Sequence, residues 1–433
     1  MKISLVFARM KYKTGDPPGG LALIAAHLRN NGYSVDLIDS TFHPTMDYIR
    51  KRIDDFDADY VAIYCDSLML NDVKKIAKYA KSKGKKVIIG GPQATLRPET
   101  LTEFSDFVVK GEAESAMLDI LKGKCKEKII QGERFDLENL PIMAYDLLDM
   151  EDYIKLWHVF DSIDPNVRGT NMFSSRGCPF RCTFCQPVLE KIFGKGVRTR
   201  SVDSVIEEMK HLKNHFGINA IWFNDDTFTV RKEWIKVFCK RLVDEELEMQ
   251  WGINSRIGLL NEEEMRMMYA AGLRIMHVGV ETGSQRVADE IYHKDIDLSK
   301  VHGDVAMAEK VGIRCLCYIM LGAPGETKEE ILQTIKFAKS LDATEITATI
   351  TTPLPETHLY ESMKGKYKLT ENYDYYKNRI FEDENISFSE LKFLQKRLLF
   401  EFYTHPKRWG YVAKHLTSVQ GLHKMYLKVM RFM

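Results

Sequence analysis

Residues 175–185 have the sequence Ser-Arg-Gly-Cys-Pro-Phe-Arg-Cys-Thr-Phe-Cys, and the rest of the chain is best interpreted outward from them. The cysteines, Cys178, Cys182 and Cys185, have the spacing C-x3-C-x2-C. Three thiolates on one short loop can bind three irons of a cubane cluster, which leaves the fourth iron open to another ligand. Zinc is the alternative interpretation, but zinc usually takes four ligands, and no fourth Cys or His lies nearby in sequence. The spacing therefore favours a [4Fe-4S] cluster.

Strand and helix signals alternate around this cysteine loop. Six predicted strands cover Thr170–Ser174, Ala220–Asn224, Gln250–Asn254, Arg274–Val280, Arg314–Met320 and Glu345–Thr351. Helices are predicted between them at Ser204–His215, Glu233–Leu247, Glu262–Ala271, Ser299–Val311 and Glu329–Leu341. Two of these helices are predicted to begin with capping boxes, Asn261 with Glu264 and Thr327 with Glu330. The series predicts a (β/α)6 partial TIM barrel with its active site at the C-terminal strand ends.

The first 125 residues show a second alternation. Predicted strands cover Ile3–Phe7, Ser34–Ile38, Tyr60–Cys65, Val87–Ile89 and Phe107–Val109, with helices between them. This pattern predicts an α/β fold with an N-terminal doubly wound, Rossmann-like domain. The predicted organisation is residues 1–125 for this domain, 126–165 for a linker, 166–365 for the partial barrel and 366–433 for a small C-terminal helical region.

Composition excludes several classes of protein. The chain has 433 residues, with Lys+Arg 62 against Asp+Glu 61, so no strong net charge recruits nucleic acid. No apolar run approaches the roughly 20 residues of a membrane helix, and the apolar stretch at residues 3–8 is too short for a signal peptide. We therefore expect a cytoplasmic protein. In such a protein, clustered cysteines indicate metal binding or catalysis instead of disulfides.

The cysteine spacing, with Phe184 just before the last cysteine, resembles the radical S-adenosylmethionine superfamily. The resemblance implies that the open iron chelates S-adenosylmethionine, which the reduced cluster cleaves to a 5′-deoxyadenosyl radical. It also implies binding residues for S-adenosylmethionine at successive strand ends. These are Asp225 for the methionine amine, Arg256 for its carboxylate, Glu281 for the ribose, and Gly322 and Pro324 in the segment that holds adenine.

The N-terminal domain resembles the cobalamin-binding domain of the same superfamily. The segments that carry this resemblance are Pro17-Pro18-Gly19-Gly20-Leu21, Asp39-Ser40-Thr41, Gly90-Gly91-Pro92 and Lys110-Gly111-Glu112-Ala113-Glu114. The implied cobalamin cradle is Ser67, Leu68, Gly90, Gly91, Pro92, Gln93, Gly111 and Glu112. The Asp-x-His-x-x-Gly motif of a lower axial ligand is absent and the context of His43 does not match it, so cobalamin is expected without a His ligand from this domain. A domain that has lost the corrin is the alternative.

Together the resemblances imply a methyltransferase in which cobalamin carries a methyl group to an unactivated substrate carbon. A cobalamin-dependent oxidative cyclase of the porphyrin-ester type and a non-catalytic cobalamin or cluster sensor are the alternatives. A reductant protein such as flavodoxin or ferredoxin is the implied partner, and nucleic acid is not. The resemblance does not distinguish between a small molecule, a lipid and a peptide as the substrate.

Two further features of the sequence allow more than one interpretation. Cys315 and Cys317 point to one face of a strand, either as core residues or as reactive groups above the barrel. Residues 405–433 carry six basic residues and no acid. That segment is predicted to cap the barrel, to rest peripherally on an anionic membrane, or to dock an acidic protein.

Overall fold

The computed structural model describes residues 1–416 apart from 12, 161, 162, 164–166, 371, 372 and 375, with side chains described as far as residue 413. The chain divides into two compact units. Residues 1–157, 168–177 and 188–218 form the first unit. Residues 158–167, 178–187 and those from 219 onward form the second.

The first unit is built on a six-stranded parallel sheet. Its strands are β1 (Lys2–Phe7), β2 (Ser34–Asp39), β3 (Tyr60–Tyr64), β4 (Lys86–Gly90), β5 (Phe107–Lys110) and β6 (Ile129–Gln131), in the order β2-β1-β3-β4-β5-β6. The five strands predicted from the sequence are confirmed. The sixth lies within residues 126–165, so the segment expected to be a linker contributes an edge strand beside β5.

Helices separate the strands of this sheet. They are α1 (Gly19–Asn30), α2 (Met46–Phe56), α3 (Leu70–Ser82), α4 (Pro92–Leu96) and α5 (Glu114–Leu121). Because such helices cover both sheet faces, the central strands are continuous apolar runs. Ile3, Leu5 and Val6 are fully buried. The strand order reverses between β1 and β3, and ligands of doubly wound sheets bind beyond the carboxyl ends of the strands at that point.

The first unit also contains shorter elements that follow the sheet in sequence. These are α6 (Met150–Leu156), β7 (Gly169–Met172), β8 (Ser175–Arg176), α7 (Val188–Phe193), β9 (Arg198–Thr199) and α8 (Val202–Phe216). The predicted first barrel strand is found as β7. The short antiparallel pair β8 and β9 flanks the cysteine loop in sequence.

The second unit contains the remaining strands of the predicted partial barrel. These are β10 (Ala220–Phe223), β11 (Gln250–Arg256), β12 (Leu273–Glu281), β13 (Arg314–Leu321) and β14 (Glu345–Ile350), each parallel to the next. They alternate with α9 (Lys232–Asp244), α10 (Glu262–Ala270), α11 (Leu298–Val311) and α12 (Lys328–Ser340). The predicted α/β fold class is confirmed, as are both capping boxes. Cys315 and Cys317 are fully buried, which supports the core interpretation.

The end of the described chain is partly helical. Its helices are α13 (His358–Met363), α14 (Phe388–Tyr403) and α15 (Trp409–Leu416). Helix α14 packs on β14 and α12. The basic segment is described only as far as α15, and positions 417–433 lie outside the described residues. Within the described part of the chain, no helix is both long and apolar enough to cross a bilayer.

Candidate functional site

The cysteine loop is fixed by backbone hydrogen bonds to two distant segments. Thr183 N–H donates to the Tyr292 carbonyl at 2.9 Å, and its hydroxyl donates to the Ile291 carbonyl at 2.6 Å. The N–H of His358 donates to the carbonyl of Gln186 at 2.7 Å. A sequence with two prolines and no regular secondary structure is therefore held in one conformation. The loop presents one buried, one half-buried and one exposed cysteine: Cys182, Cys178 and Cys185.

The donor set of this loop fits an iron–sulfur cluster better than a single ion. Among the described residues, no three His, Cys, Asp or Glu side chains are arranged to hold one metal ion. A structural zinc ion requires such convergence, with four ligands at one point. In a cubane cluster each thiolate binds a different iron, so the three sulfurs need not converge.

Arg256 lies at the end of β11 against the cysteine loop. Its Nη1 is 3.7 Å from Cys182 Sγ, and its guanidinium lies 4.0 Å from the centre of the Phe180 ring. Nη2 donates to the carbonyl of Asp295 at 3.1 Å. The guanidinium is half-buried, and these contacts bring the predicted Arg256 together with the cysteine loop.

Asp225 is placed differently from what the sequence suggested. Its carboxylate is buried and accepts from Arg231 Nη2 at 2.7 Å, so it does not stand at the exposed strand end. The flanking Asn224 and Asp226 are exposed. Within this segment, Thr227 reaches the cluster loop, with its Oγ1 3.5 Å from Cys178 Sγ. Thr227 is buried, as Asp225 is.

Arg231 in turn is enclosed by aromatic rings. Its guanidinium lies 4.6 Å from the centre of the Phe228 ring and 4.4 Å from that of Trp234. Burial lowers the pKa of Arg231, while Asp225 opposes that change. The pair Asp225–Arg231 therefore orders the loop after β10 from within.

Glu281 ends β12 in a conformation that L-residues rarely adopt. The pairing of β12 with β13 shifts between Gly279 and Glu281, and Glu281 has φ = 69°. A bulge of this kind re-aims a side chain, and a left-handed residue other than glycine costs on the order of 1–3 kcal/mol. Such strain is characteristic of binding sites.

Lys294 is the partner of Glu281, and the sequence did not identify it as such. Its Nζ donates to Glu281 Oε1 at 2.7 Å, and both side chains are at least nine-tenths buried. The ammonium also lies 5.7 Å from the centre of the Phe184 ring on the cysteine loop. A Cβ at Gly279 would lie 2.3 Å from the Glu281 carboxylate and 2.6 Å from the Lys294 ammonium, so a side chain there would displace the ends of both groups.

The segment Gly322–Glu326 forms a closed loop after β13. The N–H groups of Gly322 and Ala323 donate to Glu326 Oε2 at 2.6 Å and 2.9 Å, and Gly322 has φ = 78°. Burial raises the pKa of Glu326 to about 7, against the effect of those two N–H groups. Pro324, at the centre of this loop, is half-exposed. The predicted adenine segment is thus a preformed turn held by its own carboxylate.

The predicted cobalamin cradle lies at the carboxyl ends of β3, β4 and β5 in the first unit. Leu68 is half exposed, at 51%. Gly91 has φ = 101°, and a Cβ there would lie 2.8 Å from the carbonyl oxygen of Cys65. The glycine at this position therefore allows the turn after β4 to pack closely on the backbone at the end of β3. The ring of His43 packs 4.7 Å from that of Tyr48 and supplies no evident ligand.

The other cradle residues have partners within the protein. Gln93 is buried between Ser67 and Thr100, accepting from the first hydroxyl at 3.0 Å and donating to the second at 3.1 Å. Pro92 is the first residue of α4, and Gly111 N–H donates to the Thr95 hydroxyl at 3.0 Å. These contacts order the cradle from behind.

Glu112 belongs to a buried cluster of four charges. It accepts from Arg176 at 3.1 Å and from Arg198, and Arg176 also pairs with Glu114 at 2.6 Å. The side chains of both glutamates are at most 3% exposed. Glu112 is therefore a structural group that ties β8 and β9 to the end of β5. Its position directly before Ala113-Glu114 gave no signal of these distant arginine partners.

Comparison with known proteins gives two matching family models and several relatives. The model of the radical SAM superfamily matches residues 172–338, and that of the B12 binding domain matches residues 6–121. A protein of Pyrococcus horikoshii described as an uncharacterized methyltransferase is 33% identical over 454 residues, covering 95% of each chain. The anaerobic magnesium-protoporphyrin IX monomethyl ester cyclase of Rubrivivax gelatinosus is 24% identical, covering 82% of this chain and 67% of the cyclase.

A solved structure shares the fold. It is the radical S-adenosylmethionine methyltransferase TsrM of Kitasatospora setae, with cobalamin and a [4Fe-4S] cluster bound, at a TM-score of 0.68 and 18% identity. The match covers 83% of this chain and 76% of TsrM. At that identity the likeness concerns the fold alone.

Proposed function

This chain belongs to the cobalamin-dependent methyltransferases of the radical S-adenosylmethionine superfamily, and from that premise we propose that it methylates an unactivated carbon of a small-molecule substrate. The proposal is supported above all by Arg256, whose guanidinium lies 3.7 Å from the sulfur of Cys182. When bound, the cluster and S-adenosylmethionine supply a 5′-deoxyadenosyl radical, and cobalamin carries the methyl group.

The residues of the second unit have distinct roles in this proposal. Cys178, Cys182 and Cys185 hold three irons, and Arg256 forms a bidentate pair with the carboxylate of S-adenosylmethionine. Glu281, aimed by its bulge and held by Lys294, accepts from the ribose hydroxyls. We assign the methionine amine to the polar segment of residues 224–227, where the Thr227 hydroxyl lies 3.5 Å from Cys178 Sγ.

The remaining predicted residues position these groups. The buried Asp225 holds the loop after β10 through Arg231. The turn at Gly322 and Pro324 offers a rigid edge to the adenine. A preorganised site of this kind excludes water and holds its ligand without rearrangement.

In the first unit, Leu68 and the backbone at Gly90 and Gly91 contact the corrin. We expect cobalamin to bind without a histidine from this domain, because the sequence around His43 does not match the motif of a lower axial ligand. Ser67, Pro92, Gln93, Gly111 and Glu112 order the cradle from behind, through the contacts described above. A reductant protein of the flavodoxin or ferredoxin type supplies the electron that reduces the cluster.

Oxidative cyclisation is the second candidate, because the Rubrivivax gelatinosus cyclase also aligns over most of this chain. The experiment that separates the two uses the cofactor-loaded protein, a strong reductant and S-adenosylmethionine carrying an isotopically labelled methyl group, with a small-molecule extract as substrate source. Methyl transfer predicts a product in which a labelled methyl group replaces one hydrogen. Cyclisation predicts a product that has lost hydrogens and carries no label.

Two variants connect that experiment to the site. Arg256→Ala is expected to reduce 5′-deoxyadenosine formation at least tenfold, since it removes a charge-assisted bidentate contact. Arg266→Ala, at an exposed pair on α10, is the control and leaves it unchanged. A chain that forms no 5′-deoxyadenosine under strong reduction would favour the sensor interpretation.

A further inference from the structure

The exposed aromatic side chains of the described chain lie close together in sequence, on elements that the cofactor sites do not use. Among the described residues, the exposed Phe and Trp side chains are Phe388, Phe393, Phe400 and Trp409. The last three of these are 63–69% exposed. Apolar side chains scattered singly over a surface need no explanation, whereas a group of large ones marks a contact with another body.

Phe393 and Phe400 share one row of α14. They are seven residues, or about two helical turns, apart, so they lie one above the other along the helix. At about 3.6 residues per turn, Lys396 and Arg397 fall between them and on either side of the row. The exposed positions of α14 include no acid: Phe388, Ser389, Phe393, Lys396, Arg397 and Phe400.

Trp409 continues this row beyond the end of the helix. Thr404 follows Phe400 by one turn and is the residue at which α14 ends. The Nε1–H of Trp409 donates to the carbonyl of Thr404 at 2.9 Å, which holds the indole at that end. We call Phe393, Lys396, Arg397, Phe400 and Trp409 the aromatic surface.

The opposite side of α14 is buried and fixes the rotation of the helix. Its buried side chains are Leu391, Leu394, Gln395, Leu398 and Phe402. Gln395 Nε2 donates to the Ala348 carbonyl of β14 at 2.9 Å. The Tyr403 hydroxyl donates to the Ile346 carbonyl of the same strand, also at 2.9 Å. Helix α14 thus has apolar side chains on two faces, and a helix that is apolar all round is normally covered all round.

The charges around the aromatic surface indicate an anionic partner. Arg397 Nε donates to Glu401 at 2.6 Å, and Lys407 pairs with Asp342. The positive charge of Lys396 is in excess of these two pairs. From residue 402 to residue 433 the sequence contains six Lys or Arg residues and no acid. An anionic body is therefore attracted to this part of the chain.

The shape of the aromatic surface distinguishes between anionic partners. Single-stranded nucleic acid is bound in grooves, where aromatic rings serve as stacking platforms, whereas α14 presents a convex row. An acidic protein surface would pair with the cations and leave the phenyl rings against charged groups. A row of rings flanked by cations fits the plane of an anionic bilayer, whose phosphates lie just above its acyl chains.

We propose that the aromatic surface docks the chain on an anionic lipid bilayer. Phe393, Phe400 and Trp409 enter the boundary between headgroups and acyl chains, and Lys396 and Arg397 meet the phosphates. The chain then rests on the bilayer without crossing it. This inference goes beyond the proposed function and does not depend on it.

Vesicle flotation of the full chain, purified without oxygen, tests the proposal. The probes are vesicles of phosphatidylcholine mixed with phosphatidylserine, and vesicles of phosphatidylcholine alone. We expect the chain to bind the mixed vesicles more tightly. Phe393→Ser combined with Phe400→Ser should weaken that binding about tenfold or more, because two large apolar side chains leave the boundary. Lys396→Gln should weaken it about fivefold and leave binding to phosphatidylcholine alone unchanged.

Helix α9 offers a matched control. Val237 and Val243 are also more than half exposed, but their helix exposes the acids Glu233 and Asp244 as well. Val237→Ser combined with Val243→Ser should leave vesicle binding unchanged. Because all these substitutions are at exposed positions, each variant should keep the thermal transition of the unchanged chain.

Several results would overturn the proposal. These are no binding to the mixed vesicles, binding that Phe393→Ser with Phe400→Ser leaves unchanged, and an equal loss in the α9 control. A dimer in sedimentation equilibrium that the Phe393→Ser and Phe400→Ser substitutions dissociate would assign the surface to a second copy of the chain. Tighter binding of a single-stranded oligouridylate than of the mixed vesicles, through the same side chains, would assign it to nucleic acid.

Discussion

Replacing Glu112 by Gln tests the role of the buried charge cluster in holding the start of the cysteine loop. Glu112 balances Arg176 and Arg198, and its side chain is 2% exposed. Its Oε2 also accepts from the N–H of Phe135 at 2.7 Å. Glutamine keeps the shape but removes one negative charge, so Arg198 loses its carboxylate partner and Arg176 keeps only Glu114.

The expected loss follows from that imbalance. Removing one partner of a buried ion pair costs about 3–5 kcal/mol, a large part of a total that is typically about 5–15 kcal/mol. For a unit of roughly 200 residues this corresponds to a fall of roughly 6–20 °C in the first thermal transition. Differential scanning calorimetry of the full chain measures it. The control Asp55→Asn removes an exposed pair with Lys51 and should cost less than about 1 kcal/mol.

A double variant separates the charge effect from a packing effect. In Glu112→Gln with Arg198→Gln, one positive charge is removed together with the negative charge, so the loss should be smaller than the sum of the two single losses. The reasoning would be refuted if Glu112→Gln had its first thermal transition at the same temperature as the Asp55→Asn control. It would also be refuted if the stability losses of the two single variants simply added in the double variant.

Three other changes have defined outcomes. Burial raises the pKa of Glu326 from 4.5 to about 7, so between these values the folded chain keeps a proton that the unfolded chain loses. The free energy of unfolding should therefore fall by up to about 3 kcal/mol between pH 5 and 8. Calorimetry across that range should show a flatter dependence of stability on pH for Glu326→Gln. Gly279→Ala should weaken the binding of S-adenosylmethionine about tenfold or more in equilibrium dialysis. The control Gly303→Ala, with open space at its Cβ, should bind as the unchanged chain does, and equal affinities of the two variants would contradict the steric argument. Cys178→Ala should lose most of the bound iron in metal analysis while Cys315→Ala keeps it, and retention of iron in the first variant would remove Cys178 from the ligand set.

The sequence predicted those parts of the fold that depend on local patterns. Apart from β6, the strands of the two six-stranded sheets follow from apolar runs closed by polar or glycine residues, and the capping boxes at Asn261 and Thr327 follow from their spacing. The position of Arg256 at a strand end beside the cysteine loop also follows from the order of the βα units.

Features that depend on distant partners were not predictable in the same way. Glu112 was assigned to the cradle because of its neighbours in sequence, whereas its partners are 64 and 86 residues away. The burial of Lys294 depends on a bulge that shifts strand register by one residue, and no residue pattern marks that shift. Asp225 was expected to meet the ligand because it follows a strand end, but its carboxylate is buried against Arg231, and nothing in the local pattern marks that pair.

The most direct test of the central claim is the iron and cobalt content, with an absorbance spectrum, of protein purified without oxygen and supplied with cobalamin. About four irons per chain and about one cobalt are expected, from one cluster on Cys178, Cys182 and Cys185 and one corrin in the first unit. Four irons without cobalt would contradict cobalamin binding, and the methyl-transfer proposal with it. A single zinc per chain in place of iron would contradict the cluster.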